Sequence, residues 1–374
     1  MTVPLMDIRA QYGPLRDEVD AAIAGVLDSG RFILGPHVSA LEDAVGERLG
    51  GRDCVGVANG TDALVIALHA LDVGPGDEVI TSPYTFYATA EAIARVGATP
   101  VFCDIEPVGF GIDPDAVAAA VTPRTRVLLP VHIFGQPADM TPILAVAERH
   151  GLAVLEDAAQ AFGSADSGRE AGTIGDAAIF SFFPTKNFPG IGDGGLVACR
   201  DTALADRVRR LRFHGSKDKV TFEEVGYNSR LDELQAAVIR VFYPHLDDWN
   251  ARRADAAAMY EESGLGEHAR LPQVRPGATH TYHLFMVRHE DRDGLRQVLG
   301  EAGVSSAVYY GVPMHLQPVF AGLGYGPGDL PVAEECAATA LALPMHPNLS
   351  RDDVAQVVAA AATAHAGAGS GTAR

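Results

Sequence analysis

Short apolar, β-branched runs recur along the first half of the chain, separated by stretches whose apolar residues return every three to four positions. The runs at 55–57, 78–81, 99–103, 126–131, 152–155, 177–182 and 195–199 predict strands. Between them, TDALVIALHAL, TFYATAEAIARVG, DPDAVAAAV and TPILAVAERHG carry the helical period. Strand and helix alternating in this way predict an α/β fold with a mixed, mostly parallel sheet covered on both faces. Beyond about residue 235 the pattern changes to long helical stretches in ELQAAVIRVFYPHLDDWNARRADAAAMYEES, then the strand-like YHLFMVRH and the helical DRDGLRQVLGEAG. The reading is a large domain over 1–250, including an N-terminal segment and a connecting helix, and a smaller α+β domain over 251–366. The Ala- and Gly-rich end, AHAGAGSGTAR, predicts a disordered tail over 367–374.

With 374 residues and 47% hydrophobic composition, the chain is long enough for both domains to hold a core. Nowhere do about eighteen apolar residues follow one another, so neither membrane insertion nor export is expected. Cys54, Cys103, Cys199 and Cys336 are scattered without metal-finger spacing, which predicts no disulfide framework, no metal site and a reducing, cytoplasmic setting. A formal charge of −19 argues against nucleic-acid and anionic-membrane partners. An anionic ligand would need a local basic patch, and DRVRRLRFHGSKDK is one. Its arginines read as a solvated helix face, while Lys217 and Lys219, beyond His214 and Gly215, read as loop residues better placed for a ligand.

The glycines of Gly190-x-Gly192-x-x-Gly195 match a dinucleotide-binding loop only superficially, because they lead into the apolar LVAC run and not into a helix. More informative is the strand 55–57 followed by Asn59-Gly60-Thr61-Asp62 and a helix. The Gly60 and Thr61 amides would sit at a helix N-terminus beside a hydroxyl, which suits a phosphate, although the same residues also make a good helix cap. The strand 152–155 ends in Glu156-Asp157-Ala158-Ala159-Gln160, and the strand 177–182 delivers Ser181 and then Lys186 to the same sheet edge. Lys186 is the only basic residue in the apolar, Gly-rich SFFPTKNFPGIGDGGLVA, where burial of an ammonium is costly unless it is paired or gives up its proton. Phosphate cup, strand-end carboxylate and lysine together are what pyridoxal 5'-phosphate requires. The lysine would form a Schiff base with the aldehyde, the aspartate would keep the pyridine nitrogen protonated, and the amides and hydroxyls would hold the phosphate.

Taken in this order, Asn-Gly-Thr-Asp, Glu-Asp-Ala-Ala-Gln and Ser-Phe-Phe-Pro-Thr-Lys-Asn resemble the DegT/DnrJ/EryC1/StrS family of pyridoxal-phosphate sugar aminotransferases. The similarity extends to Arg31-Phe32-Ile33-Leu34-Gly35-Pro36, to Gly226-Tyr227-Asn228-Ser229-Arg230-Leu231-Asp232 and to Pro313-Met314-His315-Leu316-Gln317-Pro318. The resemblance implies the aspartate-aminotransferase (type I) fold of PLP-dependent transferases. It casts Lys186 as the Schiff-base lysine, Asp157 as the pyridinium partner and Gln160 as a neighbour of the ring oxygen. Gly60, Thr61 and Ser181 become phosphate contacts, and Phe86 a ring stacked on the cofactor; read without the family, Phe86 would be core. Asn228 would reach the phosphate of a neighbouring subunit, which implies a homodimer with shared sites and an interface on the apolar surface of the long helix.

Lys219, Tyr310 and His315 match positions that touch the sugar or its diphosphate in relatives, with ordinary packing as the competing reading for the last two. Phe183 and Tyr309 depart from the tyrosine and histidine of many relatives. The implied reaction transfers an amino group, with glutamate as the expected donor, to a keto-deoxyhexose carried on a nucleoside diphosphate, of which a dTDP-sugar is the leading case. The acceptor carbon is C3 or C4, with C3 favoured. A cyclitol or other keto precursor, a sugar dehydratase, a non-catalytic homologue and a nicotinamide oxidoreductase compete, and the lysine at 186 argues against the dehydratase, whose members carry histidine there.

Overall fold

The computed structural model describes residues 2–368. Three helices, α1 (Ile8–Tyr12), α2 (Arg16–Ser29) and α3 (Pro36–Arg48), precede the alternating part of the chain. There β1 (Asp53–Val57), α4 (Gly60–Ala70), β2 (Glu78–Thr81), α5 (Tyr87–Arg95), β3 (Thr99–Phe102), α6 (Pro114–Ala120), β4 (Thr125–Leu129), α7 (Met140–His150) and β5 (Ala153–Asp157) follow one another. The two-residue strands β6 (Ala165–Asp166) and β7 (Arg169–Glu170) pair with each other before β8 (Ala177–Ser181), β9 (Gly195–Cys199) and α8 (Thr202–Leu211). Every strand expected in this half is present, with bounds that move by no more than two residues.

The strands form one seven-stranded sheet in the order β1-β9-β8-β5-β4-β2-β3. Only β9 runs against its neighbours, and its first residue, Gly195, is paired with Val57 of β1 on one side and Ser181 of β8 on the other. The carboxyl ends of β1, β5 and β8 therefore lie on one edge, together with the start of β9. Parallel strands buried on both faces need helices above and below, and the apolar faces of α4 and α5 on one side and α7 on the other supply them.

The long helical stretch is two helices, α9 (Glu233–Phe242) and α10 (Leu246–Glu262), joined by a 3-10 turn over Tyr243–His245. Pro244 lies in that turn and lacks the amide an α-helix interior needs. Much of the apolar surface of this stretch is buried within the chain, with Ala236, Ala237, Val238, Ile239, Phe242, Trp249 and Tyr260 enclosed and Leu234, Val241 and Met259 half-buried. The long helix thus leaves only a small share of its apolar surface, at Leu234, Val241 and Met259, accessible from outside the chain. The exposed hydrophobic side chains include Phe32, Ile33, Val220, Phe222 and Val225, the last 87% exposed.

After α10 come β10 (Phe285–Arg288), α11 (Arg292–Glu301), α12 (Pro331–Thr339), β11 (Ala340–Leu343) and α13 (Arg351–Ala368). β10 and β11 pair antiparallel, and Phe285, Val287, Leu341 and Leu343 form a second core with Leu295, Leu299, Val354 and Val357. Ala256, Ala257 and Tyr260 of α10 belong to this core, so the division expected at residue 250 falls inside a helix. Val3 also joins it, donating to Gly303 O at 3.0 Å and accepting from Ser305 N at 2.9 Å. Helix α13 carries the backbone to Ala368, two residues into the expected tail, of which 369–374 lie outside the described residues.

Candidate active site

Helix α4 begins where β1 ends. Its N-cap Asn59 accepts from Asp62 N at 2.8 Å, as the Asn-Gly-Thr-Asp order predicts for a cap. Capping does not use up the helix start. The Gly60 and Thr61 amides have no intrahelical acceptor, and the Thr61 hydroxyl has no partner among the described residues. Ser181 stands at the end of β8 against the same turn: a Cβ on Gly60 would meet the Ser181 Cβ at 2.9 Å and its Oγ at 3.2 Å. Across the start of β9, a Cβ on Gly195 would stand 2.4 Å from the Asn59 carbonyl. Two glycines thus let backbone, hydroxyls and a helix N-terminus crowd into one small cradle suited to a phosphate.

Asp157 closes β5 and is buried, 5% exposed. Its Oδ2 accepts from the Thr89 hydroxyl at 2.8 Å and its Oδ1 from Ala159 N at 3.2 Å. Burial pushes its carboxyl above the ordinary value, and those two bonds with the charge of Lys186 offset part of the rise. Lys186 follows β8 in a turn where its amide donates to Phe183 O at 2.8 Å. Burial lowers its ammonium pKa to about 8, against the attraction of Asp157, so the amine gives up its proton more readily than an exposed lysine does. Its loop is held from two sides. The Tyr12 hydroxyl donates to Pro184 O at 2.9 Å, and Asn187 Nδ2 donates to Asn250 Oδ1 at 2.7 Å and Thr281 O at 2.8 Å.

Because side chains alternate along a strand, Glu156 points away from Asp157. Fully buried, it accepts from His132 Nε2 at 2.9 Å and from the amides of Gly172, Ile174 and Gly175 at 2.9, 2.8 and 2.7 Å. Burial alone would raise this carboxyl, yet the His132 hydrogen bond and the backbone donors hold it below its ordinary value. His132 Nδ1 accepts from Ala138 N at 3.2 Å, so the ring proton is on Nε2. Its backbone amide donates to Asp157 O at 3.0 Å, tying the pair to the strand end.

Gln160 is oriented at both ends of its amide: Oε1 accepts from Phe134 N at 2.8 Å and Nε2 donates to the Tyr310 hydroxyl at 3.1 Å. Tyr310 arrives from the C-terminal part of the chain and packs among Phe134, Tyr84 and Phe86, with ring centroids 6.4, 6.4 and 6.1 Å away. Phe86 is the N-cap of α5 and is 55% exposed. It is not core, and an open phenylalanine ring beside Tyr310 offers a flat apolar surface to a planar ligand.

Other expected site residues lie elsewhere. His315 is enclosed at 1% exposure with Nε2 held 3.1 Å from Glu334 Oε1. Lys219 is exposed, its ammonium 4.8 Å above the Phe213 ring, and no hydrogen bond joins it to Lys186, Asp157 or Gln160. Asn228 is exposed and its side chain has no partner within the described residues, while the adjacent Ser229 accepts from Ala58 N at 3.1 Å beside the cradle. The α8 arginines are not a solvated face. Arg207 pairs with Asp72 and Glu224, Arg209 with Asp53 and Asp206, Arg210 with Glu223 and Glu224, and Arg212 with Glu42.

Sequence reasoning missed Thr85, Thr89 and His132. Thr85 precedes the N-cap of α5 and Thr89 lies in its first turn, so no helical period pairs them, and nothing near His132 in sequence points to Glu156.

A family model described as the DegT/DnrJ/EryC1/StrS aminotransferase family matches residues 14–362. A "Pleiotropic regulatory protein" of Geobacillus stearothermophilus is 48% identical over 361 residues, covering 96% of this chain and 97% of the relative. The dTDP-3-amino-3,4,6-trideoxy-alpha-D-glucose transaminase of Streptomyces venezuelae is 46% identical over 361 residues, covering 95% of this chain and 94% of the relative. The crystal structure of S. venezuelae DesV in complex with a ketimine intermediate superimposes with a TM-score of 0.94 at 46% identity, covering 97% of this chain and 98% of that one.

Proposed function

Since the chain belongs to the DegT/DnrJ/EryC1/StrS aminotransferase family, whose enzymes depend on pyridoxal phosphate, we propose that it transfers an amino group from L-glutamate to a keto-deoxyhexose linked to a nucleoside diphosphate. The observation that carries this reading is the gathering of Asp157 at the end of β5 and Lys186 just beyond β8, near enough for their charges to interact, on the sheet edge where the Gly60–Ser181 cradle also opens.

The residues present fit the cofactor. Gly60, Thr61 and Ser181 would hold its phosphate, Asp157 its ring nitrogen and Phe86 one face of its ring, with Gln160 beside the ring oxygen and Lys186 as the covalent anchor. Bound there, pyridoxal phosphate supplies an electron sink and a carrier for the amino group. The chain supplies the rest. Asp157, an acceptor in a buried setting, holds a proton on the ring nitrogen, and the Lys186 amine, whose burial eases loss of its proton, carries protons to and from the substrate carbon. Asn228 and Lys219, exposed beside Val220, Phe222 and Val225, are read as contributions to the site of a second subunit, which makes the active unit a homodimer. Tyr310 is read as lining the sugar side of the site. A dTDP-linked acceptor is the reading supported by the likeness to the S. venezuelae transaminase, with amination at C3.

The test is spectroscopic first. Purified protein supplied with pyridoxal phosphate should be yellow, fixed by borohydride at Lys186 and bleached by glutamate; a colourless protein, or Lys186→Ala with intact turnover, rejects the assignment. Incubation with nucleotide-linked 3-keto and 4-keto hexoses, followed by mass analysis, then decides the acceptor, and a cyclitol ketone in the same panel tests the competing substrate class.

A further inference from the structure

Thr85 and Thr89 flank Phe86 at the start of α5, and both are 1% exposed. The Thr89 hydroxyl lies 2.8 Å from Asp157 Oδ2, and the Thr85 hydroxyl lies 2.9 Å from that of Thr89. An ionised carboxylate only accepts, so the single Thr89 proton goes to Asp157 and Thr89 must accept from Thr85. The chain of hydroxyls therefore has one direction, ending on the carboxylate. Neither hydroxyl caps the helix, although the N-cap Phe86 leaves that start without a side-chain acceptor. Two buried threonines at a helix start that forgo capping and point in series at one carboxylate are placed for that carboxylate.

Resting on the reading of Asp157 as the partner of the cofactor's ring nitrogen, we propose that Thr89, backed by Thr85, is a positioning residue that keeps the Asp157 carboxylate anionic and aimed, so that the proton stays on the ring. Thr89 donates to one carboxylate oxygen and Ala159 N to the other, which fixes the carboxylate plane. Removing the hydroxyl makes the carboxylate more basic and draws the shared proton from the ring nitrogen towards Asp157. The other titratable or charged groups acting on Asp157 are Lys186, His132 and Tyr310. The same turn carries Phe86, and Thr89 N donates to Phe86 O at 3.2 Å, so the stacking ring and the carboxylate are set by one piece of backbone.

The experiment uses holoenzyme reconstituted with pyridoxal phosphate labelled with nitrogen-15 in the ring. In Thr89→Val the ring nitrogen resonance should move from the protonated towards the neutral range, and cofactor affinity should fall about tenfold, the scale of one lost hydrogen bond to a charge. Thr89→Ser should restore both. Thr85→Val, which leaves the contact with Asp157 in place, should move the resonance less in the same direction, and it keeps the test decisive if Thr89→Val does not fold. Unchanged resonances in the two valine variants, with only a lower melting temperature, overturn the proposal. Asp157→Asn serves as the control: if it leaves the resonance untouched, the cofactor reading itself fails.

Discussion

Gly195 lies so close to Asn59 that any side chain at 195 would collide with the backbone entering α4, at 2.4 Å from the Asn59 carbonyl carbon and oxygen. The contact joins the start of the antiparallel β9 to the start of the helix whose first amides form the cradle. Gly195→Ala should push the helix start away from Ser181, lowering stability by about 1–3 kcal/mol and weakening cofactor binding more than that loss explains. Thermal melts and cofactor titration check this. Gly74→Ala, with nothing within 4 Å of the added carbon, is the control and should change neither.

Lys186 sets a pH dependence. Its pKa is lowered to about 8 by burial, against an unfolded value of about 10.4, so between these pH values the unfolded chain binds more protons than the folded one. Stability of the cofactor-free protein should therefore rise with pH across that window, and Lys186→Met should remove the rise, which is at most about 3 kcal/mol. Asp157 attracts the ammonium, so Asp157→Asn should extend the window to lower pH while its upper edge stays at the unfolded value. Urea titrations from pH 7 to 11 give both answers; a flat difference between wild type and Lys186→Met contradicts the assignment.

Glu156 predicts the opposite end of the scale. Its carboxyl is held below its ordinary value, so its contribution is present above pH ~4.3 and is lost as pH falls through the folded value. All its partners are donors: His132 Nε2 and the amides of Gly172, Ile174 and Gly175. Glu156→Gln would face an amide NH2 against them and should cost about 3–5 kcal/mol at neutral pH. The difference from wild type should shrink on acidification, as followed by denaturant unfolding at pH 3 to 7.

Glu233 opens α9 and caps a different helix. Its buried carboxylate accepts from Gly35 N and His37 N at 2.9 Å and from Val38 N at 2.8 Å, at the start of α3. Glu233→Gln should destabilise by about 2–3 kcal/mol, because a neutral amide loses both the charge opposite the helix dipole and one acceptor. Equilibrium urea unfolding measures this, and the spectrum of the remaining folded holoenzyme should stay that of wild type.

The legible part of the site was the part written in short range. Asn59, Gly60 and Thr61 follow a strand and start a helix within a few residues, and Asp157, Ser181 and Lys186 stand at or just beyond strand ends, so strand and helix assignment alone put them on one edge. The Thr89–Asp157 bond spans 68 residues and the His132–Glu156 pair 24, and no local pattern encodes either. The arginines of 207–212 were misread for the same reason: their partners Asp72, Asp53 and Glu42 are supplied by other elements, as is Glu334 beside His315.

Alternation of apolar runs and helical periods determined the α/β class, the seven strands of the main sheet and the edge on which chemistry could sit, because burial imposes its period on each element separately. Which side chains meet was decided only by the packed chain. The antiparallel β9 brings Gly195 between Val57 and Ser181, and the helix–sheet packing turns two threonines onto an aspartate. Contacts between distant positions depend on strand order and register, and these are set by the mutual packing of all the layers at once.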